Sequence, residues 1–141
     1  DAYFARFRLV KVYLDEMVRR AREQGYVETV LGRRRYFPEL QSRSAQATVR
    51  AAERAAVNMP IQGSAADIIK LAMITLDRRL TERKLASAMV LQVHDELVLE
   101  VPEHELAEVR PLVIDTMLNA YPLSVPLKVD AATGTNWMEM N

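Results

Sequence analysis

The chain has 141 residues, half of them apolar, and no cysteine, so it can form one substantial core but no disulfide, thiol nucleophile or cysteine-based zinc site. No apolar run reaches membrane-spanning length and the start lacks a secretory signal pattern, which predicts a cytoplasmic protein that does not associate with membranes. The net charge is zero, yet residues 1–60 carry twelve Lys and Arg against seven Asp and Glu, and residues 61–141 carry the reverse, so the two halves differ in electrostatic character.

The first predicted elements are an amphipathic helix and a short hairpin. Apolar residues recur every three or four positions from Tyr3 to Gln24, and Gly25 follows as a C-terminal cap. Two β-prone runs within residues 26–37 flank a turn at Gly32, which predicts a small β-hairpin. Three consecutive arginines, residues 33–35, lie at its tip and are typical of a solvated loop or, as a weak signal, of a phosphate contact.

Two further helices are predicted around a proline. Ser44 is a candidate N-cap for a helix that runs to about Asn58, and Pro60 is expected to stop it. Ser64 and Asp67, three positions apart, then predict a capping box that opens the next helix. Gln62 falls in the connection, where its amide either contacts a bound molecule or ties the loop down.

One face of the first of these two helices is polar. Arg50, Arg54 and Asn58 follow one another at steps of four residues and so lie along one side of a helix. Such a stripe is expected of a helix that tracks a nucleic-acid backbone, and an ordinary solvent face has the same spacing. The stripe alone leaves both interpretations open.

A strand pair with a polar tip is predicted next, in the stretch LQVHDELVLEVP. Aliphatic residues on both sides predict two strands, and His94, Asp95 and Glu96 interrupt them. The tip has no glycine, although tight hairpin turns favour glycine. It is either a solvated turn or a carboxylate pair that binds a hard divalent cation, Mg²⁺ or Mn²⁺.

The remaining chain predicts one more helix and one more strand. The helix covers about Glu103 to Ala120, with either a kink at Pro111 or a true start near Arg110. A last strand is predicted from Pro126 to Ala131. The whole pattern predicts a single α+β domain over residues 1–141, with a small antiparallel sheet, helices packed mainly on one face and the short hairpin near residues 26–37.

Three long stretches, taken together, are informative: GYVETVLGRRRYFPEL, ERAAVNMPIQGSAADIIK and LQVHDELVLEVP. They resemble family A DNA polymerases, the bacterial DNA polymerase I type, and the resemblance extends from Tyr3 to Trp137. It implies that the chain is the C-terminal part of a polymerase domain, made of the palm subdomain with the base of the fingers. It also implies a bacterial enzyme that is held near the nucleoid through its DNA substrate.

The resemblance assigns the polar hairpin tip to catalysis. Asp95 corresponds to one of the two metal-binding aspartates, and Glu96 is an auxiliary carboxylate beside the metals. His94 is expected near the primer terminus. The implied reaction is template-directed nucleotidyl transfer to a primer 3′ end, in which two Mg²⁺ ions, or Mn²⁺, stabilise the attacking and leaving oxygens.

The same resemblance assigns the polar helix face to DNA binding. Arg54 corresponds to a template-backbone contact, Asn58 and Gln62 correspond to contacts near the minor groove of the new base pair, and Arg50 lies on the same face. The implied partners are primer-template DNA, deoxynucleoside triphosphates and the upstream part of the polymerase chain.

Two parts of the family's pattern do not occur in these residues. The other metal aspartate lies in an upstream motif of the type DYSQIELR, and a fingers helix supplies groups to the incoming nucleotide. Asp67, Asp77 and Asp130 are not expected to replace that aspartate, so we expect the isolated chain to be inactive. The alternatives are a non-catalytic DNA-binding module that uses Arg50, Arg54 and Asn58 and, ranked last, a metal-dependent nuclease.

Overall fold

The structure is a computed structural model that describes residues 2–139. Asp1, Met140 and Asn141, which the predicted domain includes, lie outside the described residues. The chain divides into two compact units, one ending at Asp67 and one beginning at Ile68.

Helices and two small hairpins are the regular elements of the described residues, which confirms the predicted α+β class. The elements are α1 (Ala2–Arg6), α2 (Arg8–Glu23), β1 (Tyr26–Glu28), β2 (Arg34–Tyr36), α3 (Gln46–Glu82), β3 (Ala88–Val93), β4 (Glu96–Glu100) and α4 (Leu106–Leu118). Short 3-10 turns cover Pro38–Leu40, Glu103–Glu105 and Trp137–Glu139. The strands form two separate antiparallel pairs, β1 with β2 and β3 with β4.

The first unit has a core between α2 and the N-terminal part of α3. Its buried residues are Met17, Ala21, Val27, Phe37, Leu40, Ala52, Ala56 and Met59. Alanines on both helices allow the backbones to approach closely, and the Tyr13 hydroxyl donates a hydrogen bond to the Val57 carbonyl over 3.1 Å. Burial raises the pKa of Tyr13, which further favours the protonated hydroxyl that donates this bond.

The predicted helix from Tyr3 to Gln24 is interrupted once. Phe7 has φ −116° and ψ 63°, outside the helical range, and therefore separates α1 from α2. Gly25 confirms the predicted C-terminal cap, since its φ of +82° is readily adopted by glycine. The Gly25 carbonyl also accepts a hydrogen bond from the Phe37 amide over 2.8 Å, which closes the base of the first hairpin.

The prediction of two helices around Pro60 is wrong. α3 is one helix of 37 residues that passes through Pro60, and Gln62 lies inside it rather than in a loop. A proline in a helix interior removes one main-chain hydrogen bond and crowds the preceding turn, but neighbouring structure can offset that cost. Here the first hairpin contacts the turn that follows Pro60.

The predicted caps of these helices are also wrong. α3 begins at Gln46, and Ser44 lies before it, with its Oγ 3.3 Å from the Ser42 Oγ. Ser64 donates its hydroxyl hydrogen to the Pro60 carbonyl one turn earlier, and Asp67 forms an ion pair with Arg33. Both residues serve the helix interior and its contact with the hairpin.

The second unit packs the β3–β4 hairpin against α4 and the C-terminal part of α3. Its buried core is Leu76, Leu80, Val109 and Leu112, with Leu85, Met89, Leu97, Leu99, Val101 and Val113 against it. The Arg79 guanidinium links the two helices, since it donates to the carboxylate of Asp115 and the hydroxyl of Thr116, over 2.6 Å in each case.

The helix predicted over about Glu103 to Ala120 is confirmed as α4, which starts at Leu106 and continues through Pro111, so the alternative start near Arg110 is wrong. The predicted last strand is also wrong, because residues 126–131 form no strand, and among the described residues no strand edge pairs with them. The Arg110 guanidinium donates to the Ala131 carbonyl over 3.3 Å, so that segment is held by a side chain instead of a sheet.

Candidate functional site

The tip of the second hairpin is a two-residue turn. Val93 pairs with Glu96, which leaves His94 and Asp95 as the turn and places Glu96 at the first position of β4. His94 has φ +53°, a conformation that costs a side-chain-bearing residue energy and is usually taken by glycine. The Gln92 side-chain amide donates to the His94 carbonyl over 2.6 Å, which stabilises this turn.

Strand register explains why Glu96 lies on the face of β4 opposite the core. Leu97 and Leu99 pack on the core, so Glu96 belongs to the opposite face of β4. A bulge in β3 between Met89 and Leu91 shifts the pairing by one residue. The bulge lets Met89 face the core while the residues nearer the tip keep their register.

Asp95 and Glu96 are exposed, and neither forms an ion pair or a side-chain hydrogen bond with another described residue. Their oxygens are the ligand type that Mg²⁺ and Mn²⁺ prefer. Within residues 2–139, no group of three or more His, Cys, Asp or Glu side chains is placed to hold a metal. The turn therefore offers a pair of carboxylates that fits a hard cation as part of a ligand set.

The entry to the second hairpin is fixed by a buried carboxylate. Glu105 accepts hydrogen bonds from the amides of Ala86 and Ser87 over 2.9 and 3.0 Å, and from the Ser87 hydroxyl over 2.6 Å. The bonds from Ser87 and Ala86 hold the pKa of Glu105 below its ordinary value, and sequence reasoning gave no indication of this role.

The polar face of α3 is longer than the sequence predicted. Because the helix continues through Pro60, Gln62 extends the series of Arg50, Arg54 and Asn58 by one more step of four residues. The series spans about 18 Å along the axis and turns by about 40° at each step. All four side chains are exposed, on the side of the helix away from buried Ala52 and Ala56.

The two arginines of this face have no acidic partner among the described residues. Glu53 is the one acid between Gln46 and Asp67, and it pairs with Arg22 of α2 over 2.6 Å. The face therefore presents uncompensated positive charge, as a surface for phosphates requires.

The three arginines of the first hairpin, residues 33–35, contact other residues of this protein. Arg33 contacts α3, Arg34 pairs with Glu28 over 2.7 Å, and Arg35 lies over the ring of Phe37. These positions give no support to a phosphate contact by the triplet.

No described helix is long and apolar enough to cross a membrane.

Comparisons with known proteins agree with each other. The sequence model of DNA polymerase family A matches residues 1–139. The DNA polymerase I of Mycobacterium tuberculosis (strain ATCC 25618 / H37Rv) is 59% identical over 137 residues, and that of Streptococcus pneumoniae (strain ATCC BAA-255 / R6) is 54% identical over 140 residues. These alignments cover 97% and 99% of this chain but 15% and 16% of the relatives, so the chain spans about a sixth of their length.

A solved structure is similar over the same region. It is described as the POL domain of Pol1 from M. smegmatis in complex with DNA primer-template and dNTP. The TM-score is 0.94 at 54% sequence identity, and the match covers 98% of this chain and 24% of that chain.

Proposed function

This chain belongs to DNA polymerase family A, and from that premise we propose that it forms the C-terminal part of a polymerase domain, the palm with the base of the fingers. Its proposed function is template-directed DNA synthesis together with the upstream part of the polymerase. The observation that carries this proposal is the exposed pair of Asp95, on the two-residue turn, and Glu96, at the start of β4, which form no ion pairs with other described residues.

The hairpin turn is proposed to hold the catalytic divalent ions. When bound, Mg²⁺ would stabilise the attacking 3′ oxygen and the departing pyrophosphate. Asp95 and Glu96 supply oxygen ligands, and the aliphatic strands beside them limit how far these ligands move. The hydrogen bond from Gln92 to the His94 carbonyl keeps the turn in one conformation, and His94 is proposed to lie near the primer terminus.

The exposed face of α3 is proposed to hold the primer-template. Arg50 and Arg54 suit phosphate oxygens because guanidinium groups form paired hydrogen bonds with them. Asn58 and Gln62 have amides that can donate to the acceptors that base pairs display in the minor groove. The exposure of these side chains and their spacing on one continuous helix support this assignment.

A non-catalytic DNA-binding module is the weaker candidate. It uses the same helix face but assigns no function to Asp95 and Glu96. The matched relatives carry the name DNA polymerase I and align over nearly the whole of this chain, which favours catalysis.

Primer extension tests the proposal. We would compare this chain, the same chain joined to the upstream part of its polymerase domain, and the joined protein with Asp95→Asn, using Mg²⁺ and all four deoxynucleotides. We expect synthesis from the joined wild type alone, and a loss of at least about a thousandfold in Asp95→Asn because a charged metal ligand is removed. DNA affinity should stay unchanged.

The matched control is Asp77→Asn, which removes the same charge from an exposed position of α3. Its activity should equal that of the joined wild type. Full synthesis by Asp95→Asn would show that the turn has no catalytic role, and synthesis by the short chain would show that the metal site is complete within it.

A further inference from the structure

The turn of α3 that ends at Pro60, just before Gln62, lacks a main-chain hydrogen bond. Pro60 lies in the helix interior and has no N–H to donate to the Ala56 carbonyl. Pro60 comes two residues after Asn58 and two before Gln62, so the helix is weakened between two proposed DNA contacts. Contacts from outside the helix can therefore set the direction of the turn that follows Pro60.

The loop of the first hairpin donates three hydrogen bonds to the part of α3 that follows Pro60. The Val30 amide donates to the Ser64 Oγ over 2.8 Å. The Arg33 guanidinium donates through Nη2 to the Gly63 carbonyl over 3.0 Å and through Nε to the Asp67 Oδ1 over 2.7 Å. Gly63 directly follows Gln62, so one of these bonds holds the residue next to a proposed DNA contact.

The loop also fits closely against the helix. A Cβ added at Gly63 would lie 2.7 Å from the Thr29 Cγ2, closer than atoms can pack. Glycine inside a helix costs about 1 kcal/mol relative to alanine, so its presence needs a reason. The close approach of buried Thr29 is that reason.

The loop is itself held in one conformation. The Thr29 amide donates to the Arg33 carbonyl over 3.0 Å, and the Gly32 amide donates to the Thr29 carbonyl over 2.9 Å. The Arg33 amide in turn donates to the Thr29 Oγ1 over 3.1 Å. A loop held by these bonds can fix the position of the helix turn that it contacts.

We propose that the loop of residues 29–33 is a brace for the DNA-binding face of α3, and that Arg33 is its positioning residue. Arg33 contacts no substrate in this proposal. It acts through the carbonyl of Gly63, the residue after Gln62, and thereby holds the Gln62 side chain in the direction needed for the base pair. The inference rests on the proposed function, because Gln62 has a task only if the face binds DNA.

The neighbouring Arg34 provides a matched control. Its guanidinium pairs with Glu28 and lies 4.4 Å from the centre of the Tyr26 ring, both on the hairpin itself. Arg34→Ala therefore removes the same charge and the same kind of side chain from the adjacent residue, whose partners among the described residues lie on the hairpin and not on α3.

A double-mutant cycle in the joined polymerase tests the brace. We would measure kcat/KM for nucleotide incorporation in the wild type, Arg33→Ala, Gln62→Ala and the double variant. We expect each single change to lower kcat/KM by about tenfold or more, because small displacements of positioning groups cost that much. The double variant should be no worse than Gln62→Ala, since Arg33 acts through Gln62.

Four further measurements test the inference more sharply. Arg34→Ala should stay within about twofold of the wild type, and Arg33→Lys should not restore activity, because an ammonium group cannot reproduce the planar fork. The Mg²⁺ concentration at half-maximal rate should be the same in all variants, since the hydrogen bonds of this loop go to α3 and to the loop itself. Asp67→Asn, a milder change at the other end of the ion pair, should show the same non-additivity with Gln62→Ala if Arg33→Ala does not fold.

The outcomes separate this inference from the proposed function. If the joined wild type does not extend primers, the proposed function fails. If it does, and the losses from Arg33 and Gln62 multiply or Gln62→Ala has no effect, only the brace is overturned.

Discussion

On α3, four exposed polar side chains are spread over about 18 Å and share one face through helix periodicity, whereas at the β3–β4 turn three polar residues are consecutive. The helix face depends on contacts from distant parts of the chain, because Arg33 and Asp67 are 34 residues apart. The turn depends on its own neighbours, since Gln92 holds the carbonyl of His94, two residues on.

The difference concerns how each region tolerates change. Under the proposed function, contacts spread along a face contribute separately, so loss of one arginine should weaken DNA binding without abolishing it. A carboxylate pair that holds a metal acts as a unit, so loss of Asp95 should abolish catalysis. The helix face should therefore show graded effects and the turn an all-or-none effect.

The largest of the following effects is expected at Gly63, where the loop of residues 29–33 contacts α3. Gly63→Ala would normally stabilise a helix by about 1 kcal/mol, but its Cβ would meet the Thr29 Cγ2. We expect the free energy of unfolding to fall by about 1–3 kcal/mol, the usual cost of overpacking. Urea unfolding followed by circular dichroism measures it.

Thr29→Ser is the matched background for this test. Serine lacks the Cγ2 that the new Cβ would meet and keeps the Oγ that accepts from the Arg33 amide. In that background Gly63→Ala should regain stability. Equal destabilisation in both backgrounds would show that the close packing at Thr29 is not what excludes alanine.

A smaller effect is expected on the helix face. Arg54→Ala should weaken primer-template binding by the joined polymerase roughly fivefold to tenfold, and the slope of log affinity against log salt should shrink by about 0.9, as for one lost phosphate contact. Fluorescence anisotropy at several salt concentrations measures both quantities.

Arg78→Ala is the control, because it removes one exposed arginine of the same helix, paired loosely with Glu82 at 3.9 Å. Its salt slope should match the wild type. An unchanged slope in Arg54→Ala as well would mean that Arg54 does not contact phosphate.

The two regions also differ in how well the sequence predicts them. The hairpin and its polar tip follow from residues close in sequence, and their pairing is confirmed. A local rule predicts a break at Pro60. That prediction is wrong, because hydrogen bonds from a loop about 30 residues earlier stabilise the helix after the proline. The tasks of Asp95 and Arg54 were suggested by resemblance, since a carboxylate turn and an arginine stripe are each common on ordinary surfaces.

The smallest effect is expected at the entry to the second hairpin and depends on pH. Bonds from Ser87 and Ala86 favour the charged form of Glu105 and lower its pKa in the folded state. The carboxylate therefore stabilises the fold above its unfolded pKa, near 4.3, and that contribution is lost as the pH falls through the lower folded value. Glu105→Gln keeps one acceptor but has no charge to lose, so its stability should fall less steeply with acid below about pH 5.

The control is Glu103→Gln, a change at an exposed neighbour with no ion pair among the described residues, and it should keep the steeper wild-type slope. Parallel slopes for wild type and Glu105→Gln would mean that the bonds to Ser87 and Ala86 do not select the charged carboxylate.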